Sequence, residues 1–440
     1  MNRCEAGHTL WSMPSSLSGR ARQNDIYTAG IHGRTPVVPT DFDELERRAR
    51  AKMSDRAWAY IAGGAGAGRT MAANRRALDR RAIVPRVLRD VSERTLETEL
   101  FGDRLPAPIL FAPVGAGDLV ARGADRLIGH AAAELGVPYI FSNQGGVAME
   151  EVAAEMDRVR PGAPRWFQLY WSTDDDLVDS LLQRAESVGA SAVAVTLDTT
   201  MLGWRPHDLN IGSLPFARGE GIAQYTSDSR FNEIVSERAA QGSSERPEIS
   251  LGALRTLVNI ARNTPGSLLR NIIRPEPRVG VQTFLDIYSR PSLSWTQIEG
   301  LRERTSLPIV LKGVLHPDDA RRAVDTGVDG IIVSNHGGRQ IDGSISSVDA
   351  LAAIAPVVDG RIKVLADSGI YSGADVFKVL ALGADAVCIG RPHMYGLALA
   401  GADGARDAVA NIIAELDLTL GLAGHMSVDE LTPEALATVE

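Results

Sequence analysis

The sequence predicts a (β/α)8 TIM barrel, and three observations support this prediction. From residue 106 onward, short apolar runs alternate with amphipathic stretches of helical periodicity, and there are eight such runs. The runs are apolar throughout, which is typical of parallel strands covered by helices. Each run ends in small, polar or charged residues. A doubly wound open sheet is the main alternative, but the even spacing and the lack of a Gly-x-Gly-x-x-Gly turn after the first run favour a closed barrel.

The boundaries of the predicted elements follow from start and stop signals. Proline and acidic residues after His316 begin a helix that ends at Gly327. Further helices are predicted over 41–53, 250–262 and 372–383, with a capping box at Ser294 and Gln297. The eight strands are predicted at 109–112, 138–142, 166–170, 192–198, 308–312, 330–334, 363–367 and 386–390.

Composition and charge exclude several classes of function. The chain has 440 residues and a formal net charge of -9, so no basic field indicates a nucleic-acid or anionic-membrane partner. Its two cysteines, Cys4 and Cys388, are too few for a disulfide framework. The start of the chain lacks the apolar core of a signal peptide, and no later run is long and apolar enough to span a bilayer. We therefore expect a cytoplasmic protein without nucleic-acid or membrane partners.

The chain is predicted to form one main domain with an arm and an insertion. Residues 1–38 have weak periodicity and are expected to form an arm or a disordered start, with ordered structure beginning near Thr40. Residues 39–440 are predicted to form the barrel domain. Its first part is a helical segment, which ends at the glycine cluster at 63–66. The connection between the fourth and fifth strands is far longer than ordinary barrel loops. We interpret this insertion, residues 199–307, as a lid.

Polar or small residues follow every predicted strand. The active site of such a barrel is built at the C-terminal ends of its strands. A single serine, tyrosine or lysine there is usually a turn, packing or rim residue, but those explanations do not predict polar groups at one end of all eight strands. We therefore expect one site. Its candidate residues are Pro113-Val114-Gly115, Ser142 with Gln144, Gln168 with Tyr170, Thr196 with Asp198, Lys312, Ser334 with His336 and Arg339, Asp367-Ser368-Gly369, and Gly390-Arg391.

His336 is the strongest single candidate. It follows an apolar strand and is followed by two glycines and Arg339, and glycines let the backbone approach a ligand closely. The other seven histidines lie in loops, caps, helices or terminal regions, and none pairs at metal-ligand spacing. We therefore predict a functional histidine and no metal site.

The last two predicted strands indicate a phosphate site. Ser368-Gly369 precedes a helix that begins near Ser372, and Gly390-Arg391 follows the eighth strand. Barrels often bind phosphate after strands seven and eight, where amides at a helix N-terminus face the anion. Two ordinary turn glycines are the alternative, because each glycine motif alone is a weak signal.

The segment Ser334-Asn335-His336-Gly337-Gly338-Arg339-Gln340 resembles the signature of the FMN-dependent 2-hydroxy-acid oxidising family. The resemblance runs from about Asp25 to the C-terminus, and the insertion after strand four is similar to that of the lactate 2-monooxygenase branch. It implies an FMN enzyme that assembles as a homotetramer or larger. Three stretches are most similar to that branch: 60–66, Gly203-Trp204-Arg205-Pro206, and Ala112-Pro113-Val114-Gly115.

The resemblance implies a catalytic role for three residues. His336 would take the 2-hydroxyl proton as hydride, or its equivalent, passes from C2 to the flavin, and imidazole suits this task because its pKa lies near neutrality. Asp198 would orient the ring and stabilise the imidazolium. Lys312 would neutralise negative charge that develops on the reduced flavin.

The resemblance also implies which residues bind substrate and cofactor. Arg205 and Arg339 would hold the substrate carboxylate through their planar guanidinium groups. Tyr60 and Tyr170 would donate hydrogen bonds to the acid. The residues implied to bind FMN are Pro113, Val114, Gly115, Ser142, Gln168, Thr196, Lys312, Ser334, Asp367, Ser368, Gly369, Gly390 and Arg391.

Two stretches depart from the pattern of that family. Tyr371 stands where the family usually has an arginine two positions after the glycine of its Asp-x-Gly phosphate segment, so a charge contact to the FMN phosphate is lost. The stretch 142–147, Ser-Asn-Gln-Gly-Gly-Val, replaces a Ser- and Ala-rich pattern that borders the flavin and the substrate.

Three interpretations of function follow. The first is FMN-dependent oxidation of a small, lactate-like L-2-hydroxy acid with molecular oxygen as acceptor, and with oxidative decarboxylation if a closed lid retains the product. The second is release of keto acid and hydrogen peroxide, or oxidation of a larger hydroxy acid, which the stretch 143–146 motivates. The third is a flavin-free barrel that acts as a binding or scaffold protein. Tyr371 motivates this interpretation, and the intact His336, Arg339 and Lys312 count against it.

Overall fold

The computed structural model describes residues 17–241 and 250–439. Its centre is a closed barrel of eight parallel strands, which confirms the predicted fold class. The strands follow one another around the barrel in chain order, as consecutive strand-helix units require. They are β1 (Ile109–Phe111), β2 (Tyr139–Phe141), β3 (Arg165–Leu169), β4 (Ala192–Thr196), β5 (Ile309–Val314), β6 (Gly330–Val333), β7 (Lys363–Ala366) and β8 (Ala386–Ile389).

Most strands end one or two residues before their predicted C-terminal boundary. Asp198, Ser334 and Asp367 lie beyond the last paired residues of their strands, so their side chains are in the loops at the C-terminal end of the barrel. β5 is the exception and continues to Val314 through an irregularity in its pairing with β6 after Lys312.

The interior of the barrel is a packed apolar core. Trp166 is fully buried, and its ring centroid lies 5.4 Å from that of Phe101. Phe101 connects the two strands of an antiparallel hairpin, Thr98–Leu100 and Asp103–Leu105, which packs against the interior residues. Because the core and the hairpin fill one end, the C-terminal ends of the strands are where a ligand site can form.

Helices cover the outside of the barrel, and their ends follow the predicted signals. The His316 side chain accepts a hydrogen bond from the Asp318 amide at 3.1 Å, and Gly327 ends that helix with φ of 76°. Ser372 forms a capping box with Asp375. The outer helices are Ala124–Leu135, Met149–Val159, Asp175–Ser187, Pro317–Thr326, Ser347–Val358, Gly373–Ala381 and Arg391–Leu422.

The expectation that order begins only near Thr40 is wrong, because Gly19–Ile31 forms a helix. The Gly19 amide donates to Oδ2 of Asp417 in the last helix at 2.8 Å. Tertiary contacts thus stabilise a helix whose own apolar periodicity is weak. Residues 1–16, the first part of the predicted arm, lie outside the described residues.

Three further helices and a strand follow Gly19–Ile31 and precede the hairpin and the barrel. The described part of the insertion is largely helical. The predicted helices over 41–53 and 250–262 are confirmed, each after its capping residue, and so is the capping box at Ser294. Within the described residues, no helix is long and apolar enough to cross a membrane. The leading elements are Phe42–Lys52, Asp55–Ala62, Arg69–Asp79 and strand Arg81–Ile83, which pairs with Leu436–Thr438. The insertion contains Pro206–Asn210, Ala223–Thr226, Ser229–Gln241, Leu251–Asn263, Leu268–Ile273, Glu276–Ile287 and Trp295–Glu299.

Candidate active site

A cavity lies at the C-terminal ends of the barrel strands. Most of the predicted site residues line it, as the positions of the strand ends require. Those that line it are Tyr60, Pro113, Val114, Gly115, Gln144, Gln168, Tyr170, Arg205, Lys312, His336, Arg339, Asp367, Ser368, Gly369, Gly390 and Arg391. The four that lie behind the lining are Ser142, Thr196, Asp198 and Ser334, and each hydrogen-bonds to a residue that lines it.

Ser142 and Thr196 fix the orientation of Gln168. The Ser142 hydroxyl donates to Oε1 of Gln168 at 3.2 Å, and Nε2 of Gln168 donates to Oγ1 of Thr196 at 2.9 Å. All three side chains are buried. The carboxamide is therefore held by one donor and one acceptor, and its remaining hydrogen-bonding capacity is available to a ligand.

His336 and Asp198 form a hydrogen-bonded pair. Nδ1 of His336 lies 2.9 Å from Oδ1 of Asp198, and the Thr199 hydroxyl donates to the same carboxylate oxygen at 3.0 Å. Because Nδ1 is engaged by a carboxylate, Nε2 carries the lone pair of the neutral ring. His336 lines the cavity, so this nitrogen is suited to accept a proton from a ligand there.

Burial and charge set the protonation states of this pair. Burial lowers the pKa of His336, and the attraction of Asp198 offsets only part of that effect. Burial alone would raise the pKa of Asp198, but His336 and Lys312 outweigh it and bring that pKa to about 2. At neutral pH a neutral imidazole therefore lies beside an ionised carboxylate, which is the state that a general base requires.

Unusual backbone conformations bring these groups together. His336 has φ of 58°, in the left-handed region that is costly for a residue with a side chain and that recurs at functional sites. Gly313, with φ of 107°, follows Lys312 in β5, and a Cβ there would lie 2.8 Å from Cβ of Asp198. Only glycine allows β5 and Asp198 to approach so closely.

Lys312 places a buried positive charge in the cavity. Its Nζ donates to Oγ of Ser334 at 2.7 Å and lies 2.9 Å from Oδ2 of Asp367. Burial alone would lower the pKa of Lys312, but Asp367 and Asp198 raise it above its usual value. The ammonium group is therefore charged throughout the physiological range.

Arg205 and Arg339 place two guanidinium groups in the same cavity. Nε of Arg205 donates to the backbone oxygen of Arg339 at 3.1 Å, and Cζ of Arg339 lies 4.8 Å from the Tyr60 ring centroid. Burial, and then the charge of Arg205, lower the pKa of Arg339 to about 9. Within the described residues, no carboxylate forms an ion pair with either arginine. Two such cations favour an anionic ligand.

The predicted phosphate residues meet in the loops after β7 and β8. Oγ of Ser368 accepts from the Gly337 amide at 2.9 Å. Arg391 begins the last helix, whose N-terminus has no side-chain cap, and its guanidinium donates to the carbonyl groups of Ile61, Gly63 and Gly337, each at 3.1 Å. An uncapped helix N-terminus beside an arginine is suited to a phosphate group.

Tyr371 occupies the same region as part of an aromatic stack. Its ring centroid lies 3.7 Å from that of Phe42, at an interplanar angle of 7°. Cζ of Arg75 lies 4.9 Å from the Tyr371 ring, but the Arg75 guanidinium pairs with Asp375 at 2.6 Å. A neutral aromatic pair therefore stands where the family resemblance implies an arginine.

Several cavity residues have no signal in the sequence. Leu202, Phe216 and Tyr288 belong to the insertion and form an apolar wall of the cavity. None of the three belongs to a motif recognised in the sequence, and only the folding of the insertion over the barrel brings them to the site. Thr199 was also missed, although its position directly after Asp198 is a usable signal.

Gln340 was missed as a functional residue although it belongs to the signature segment. Its Nε2 donates to the backbone oxygens of Asp198 at 2.7 Å and Met201 at 3.0 Å. Its Oε1 accepts from Nη2 of Arg205 at 2.8 Å. Gln340 therefore holds the loop that carries both Asp198 and Arg205.

Comparison with known proteins decides the family. A family model described as FMN-dependent dehydrogenase matches residues 49–438. This chain belongs to that family. An L-lactate oxidase from Lysinibacillus sphaericus (strain C3-41) is 40% identical over 407 residues, which are 92% of this chain and 95% of that protein. An FMN-dependent alpha-hydroxy acid dehydrogenase from Penicillium citrinum is 38% identical over 418 residues, 95% of each chain.

A solved structure similar to this chain agrees with this assignment. The crystal structure of mandelate oxidase with (S)-4-hydroxymandelic acid has a TM-score of 0.72 and 34% identity, and the match covers 90% of this chain and 97% of that chain. The protein is therefore an FMN-dependent oxidoreductase of 2-hydroxy acids. Family membership favours the enzyme interpretation over a flavin-free barrel.

The cavity residues of this FMN-dependent dehydrogenase fit the cofactor. The fixed carboxamide of Gln168 and the ammonium of Lys312 provide donors for the polar edge of a flavin ring. The segment 113–115 provides backbone at the cavity wall, and Gly115 leaves space there. Arg391 and the uncapped helix N-terminus suit the phosphate.

Proposed function

We propose that this FMN-dependent dehydrogenase oxidises an L-2-hydroxy acid at C2 and passes the electrons to molecular oxygen. The single observation that carries the proposal is the His336–Asp198 hydrogen bond of 2.9 Å in a cavity that two arginines also line. When bound, FMN supplies the acceptor for the two electrons that leave C2. Names of relatives such as L-lactate oxidase and 4-hydroxymandelate oxidase support oxygen as the final acceptor.

Arg205 and Arg339 bind the substrate carboxylate in this proposal. Both guanidinium groups line the cavity, and within the described residues neither has a carboxylate partner. A carboxylate between them would relieve the repulsion that lowers the pKa of Arg339. The hydroxyls of Tyr60 and Tyr170 donate hydrogen bonds to the same acid.

His336 accepts the proton of the 2-hydroxyl group through Nε2. Asp198 holds Nδ1 and stabilises the imidazolium that forms, because its own pKa of about 2 keeps it ionised. Lys312 keeps a positive charge close to where negative charge develops as electrons leave the substrate. In this proposal His336 moves a proton at Nε2, whereas Asp198 and Lys312 hold fixed charges.

The position of the insertion bears on whether the keto acid product is retained in the site or released. Leu202, Phe216 and Tyr288 come from the insertion and line the cavity, which supports our interpretation of this segment as a lid over a bound acid. If the keto acid stays, lactate and oxygen would give acetate, carbon dioxide and water. If it leaves, lactate and oxygen would give pyruvate and hydrogen peroxide.

Anaerobic mixing tests the reaction. Purified protein with bound FMN is mixed without oxygen with lactate, glycolate, mandelate and longer L-2-hydroxy acids, and flavin absorbance is followed. We expect at least one acid to bleach the flavin, and admission of air to restore the absorbance. A colourless protein that takes up no added FMN, or a flavin that no acid bleaches, would refute the proposal.

Product analysis separates the two fates of the product. Air-saturated reactions with lactate are assayed for pyruvate, hydrogen peroxide, acetate and carbon dioxide. Equal amounts of acetate and carbon dioxide without peroxide would support oxidative decarboxylation. Equal amounts of pyruvate and peroxide would support a simple oxidase.

We also propose that the protein assembles as a homotetramer or larger. The loop next to the site exposes large apolar side chains, including Met201 and Trp204, and such surfaces on folded proteins often mark protein contacts. Light scattering coupled to size-exclusion chromatography measures the mass in solution. A monomer at micromolar concentration would contradict this proposal.

A further inference from the structure

Gln144 places its side-chain carboxamide in the cavity. Its side chain lines the cavity, and the residue is only 7% exposed. Within residues 17–241 and 250–439, nothing hydrogen-bonds to its side-chain amide. Its backbone is engaged, since its amide donates to Oγ of Ser142 at 3.2 Å and its oxygen accepts from the Ala116 amide at 2.9 Å. The carboxamide opens into the cavity, so its donor and acceptor groups are available to a polar group of a bound ligand.

Gln144 and Tyr60 approach the same point above Gly115. A Cβ on Gly115 would lie 3.2 Å from Oε1 of Gln144 and 3.3 Å from the Tyr60 hydroxyl oxygen. The missing side chain at Gly115 therefore leaves a small space that two polar groups border. Tyr60 is proposed to bind the acid. The carboxamide of Gln144 therefore lies in the part of the cavity where the acid would bind.

The loop that carries Gln144 is held firmly on both sides. Oδ2 of Asp125 accepts from the Gly146 amide at 2.8 Å, and Nδ2 of Asn143 donates to the Tyr225 hydroxyl at 2.5 Å. Asn143 and Tyr225 are fully buried. Contacts from a barrel helix and from the insertion thus fix the backbone of this loop, and a side chain on a fixed loop loses little freedom when it binds.

The proposed reaction determines which walls the substrate side chain meets. C2 of a 2-hydroxy acid has four substituents. In the proposed reaction the hydroxyl would face His336, the carboxylate would face Arg205 and Arg339, and the hydrogen would leave toward bound FMN. The fourth substituent, the side chain, faces the rest of the lining. The lining residues to which the proposed reaction gives no role include Gln144, Leu202, Phe216 and Tyr288.

We propose that Gln144 selects 2-hydroxy acids whose side chain carries an uncharged hydrogen-bonding group, such as a hydroxyl, on an apolar stem. A carboxamide both donates and accepts hydrogen bonds, and Phe216 and Tyr288 cover apolar surface. The carboxamide of Gln144 carries no charge that could balance a second carboxylate on the substrate side chain. This inference rests on the proposed function and narrows its substrate class.

Matched pairs of substrates test the role of Gln144. The first pair is L-2,4-dihydroxybutyrate and L-2-hydroxyvalerate, and the second is (S)-4-hydroxymandelate and (S)-4-methylmandelate. In each pair a hydroxyl replaces a methyl group of similar size. The ratio of the flavin-reduction rate constant to the dissociation constant is measured without oxygen. We expect the wild-type enzyme to favour the hydroxyl member of at least one pair by roughly 2- to 10-fold, as for one hydrogen bond.

Variants of the holoenzyme assign that preference to the carboxamide. Gln144→Met keeps the length of the side chain and removes its polar atoms, so the preference should disappear. Thr199→Val is the matched control, because it removes a polar group elsewhere in the cavity and should change both members of a pair alike. Gln144→Asn retains an amide and serves as the second variant if the methionine protein does not fold. Calorimetric dissociation constants for the matching 2-oxo acids give a readout without turnover.

The outcomes separate this inference from the proposed function. If acids bleach the flavin but the members of both pairs react equally with the wild-type enzyme, the role of Gln144 is refuted and the proposed function stands. The role of Gln144 is also refuted if Gln144→Met still prefers the hydroxyl member of a pair as strongly as the wild-type enzyme does. If no acid bleaches the flavin, the proposed function fails and this inference fails with it.

Discussion

Nδ1 of His336 lies 2.9 Å from Oδ1 of Asp198, although the two residues are 138 positions apart in the chain. The contact joins the loop after β6 to the loop after β4, and it commits one ring nitrogen while leaving the other for a ligand. The whole insertion lies between these two residues in the sequence. The barrel closure, which puts the ends of its strands in one ring, makes the contact possible.

Replacement of His336 by alanine should preserve FMN binding and slow flavin reduction. The side chain accepts a proton in the proposed reaction, and loss of a general base costs roughly 10²- to 10⁴-fold in rate. Anaerobic stopped-flow absorbance measures the reduction rate constant. His316→Ala is the matched control, because this exposed histidine only caps a helix and its loss should leave the rate unchanged. A His336→Ala rate within tenfold of wild type would contradict the assigned role.

The kcat/KM of the enzyme should fall as the pH is lowered through the pKa of His336. Only the neutral imidazole accepts a proton, and burial lowers the pKa of His336 from its usual 6.5. Activity is therefore lost as pH falls through that lowered pKa, with a midpoint below 6.5. Steady-state assays from pH 4.5 to 9 measure the profile.

Asp198→Asn should shift that profile in a defined direction. The charge of Asp198 raises the pKa of His336, so its removal moves the midpoint to lower pH. The kcat/KM above that midpoint should also fall, because the imidazolium loses its stabilising partner. A midpoint that moves to higher pH would contradict this account of the pair.

Tyr225→Phe should destabilise the folded protein. Nδ2 of Asn143 donates to the Tyr225 hydroxyl, and within the described residues Oδ1 of Asn143 has no partner. Loss of the hydroxyl would leave this buried amide unpaired, which costs about 1–3 kcal/mol. Denaturant unfolding measures the free energy change. The double variant Asn143→Leu with Tyr225→Phe should recover part of the loss, whereas additive losses would indicate that the two side chains do not interact.

Tyr371→Arg should strengthen FMN binding but not riboflavin binding. Tyr371 lies near the proposed phosphate site, where a hydrogen bond to a charged group contributes about 1.5–3 kcal/mol, or roughly 10- to 100-fold in affinity. Riboflavin has no phosphate and serves as the control ligand. Fluorescence titration of apoprotein gives both dissociation constants. An equal gain for both ligands would show that the arginine does not contact the phosphate.

Much of this fold could be predicted because strand-helix alternation is written in local patterns. Apolar runs without alternation indicate strands buried on both faces, and capping residues mark helix ends such as Ser372. The polar residues after the strands identify the site, since barrel topology places all strand ends on one side. The signature around His336 then implies the chemistry.

Other features depend on contacts between distant parts of the chain. Gly19–Ile31 is helical because it packs on the last helix, and its own pattern is too weak to predict it. The position of Gln340 beneath the Asp198 loop likewise follows from the way two loops meet.

The sequence by itself determined the barrel, the order of its strands and the reactive groups at their ends. Only the tertiary structure decided that Leu202, Phe216 and Tyr288 line the cavity with those groups and that, within the described residues, the carboxamide of Gln144 has no partner. The physical reason is the range of the interactions. Periodicity and capping act within a few residues, whereas the walls of the cavity form only when an insertion with no repeating pattern packs against the completed barrel.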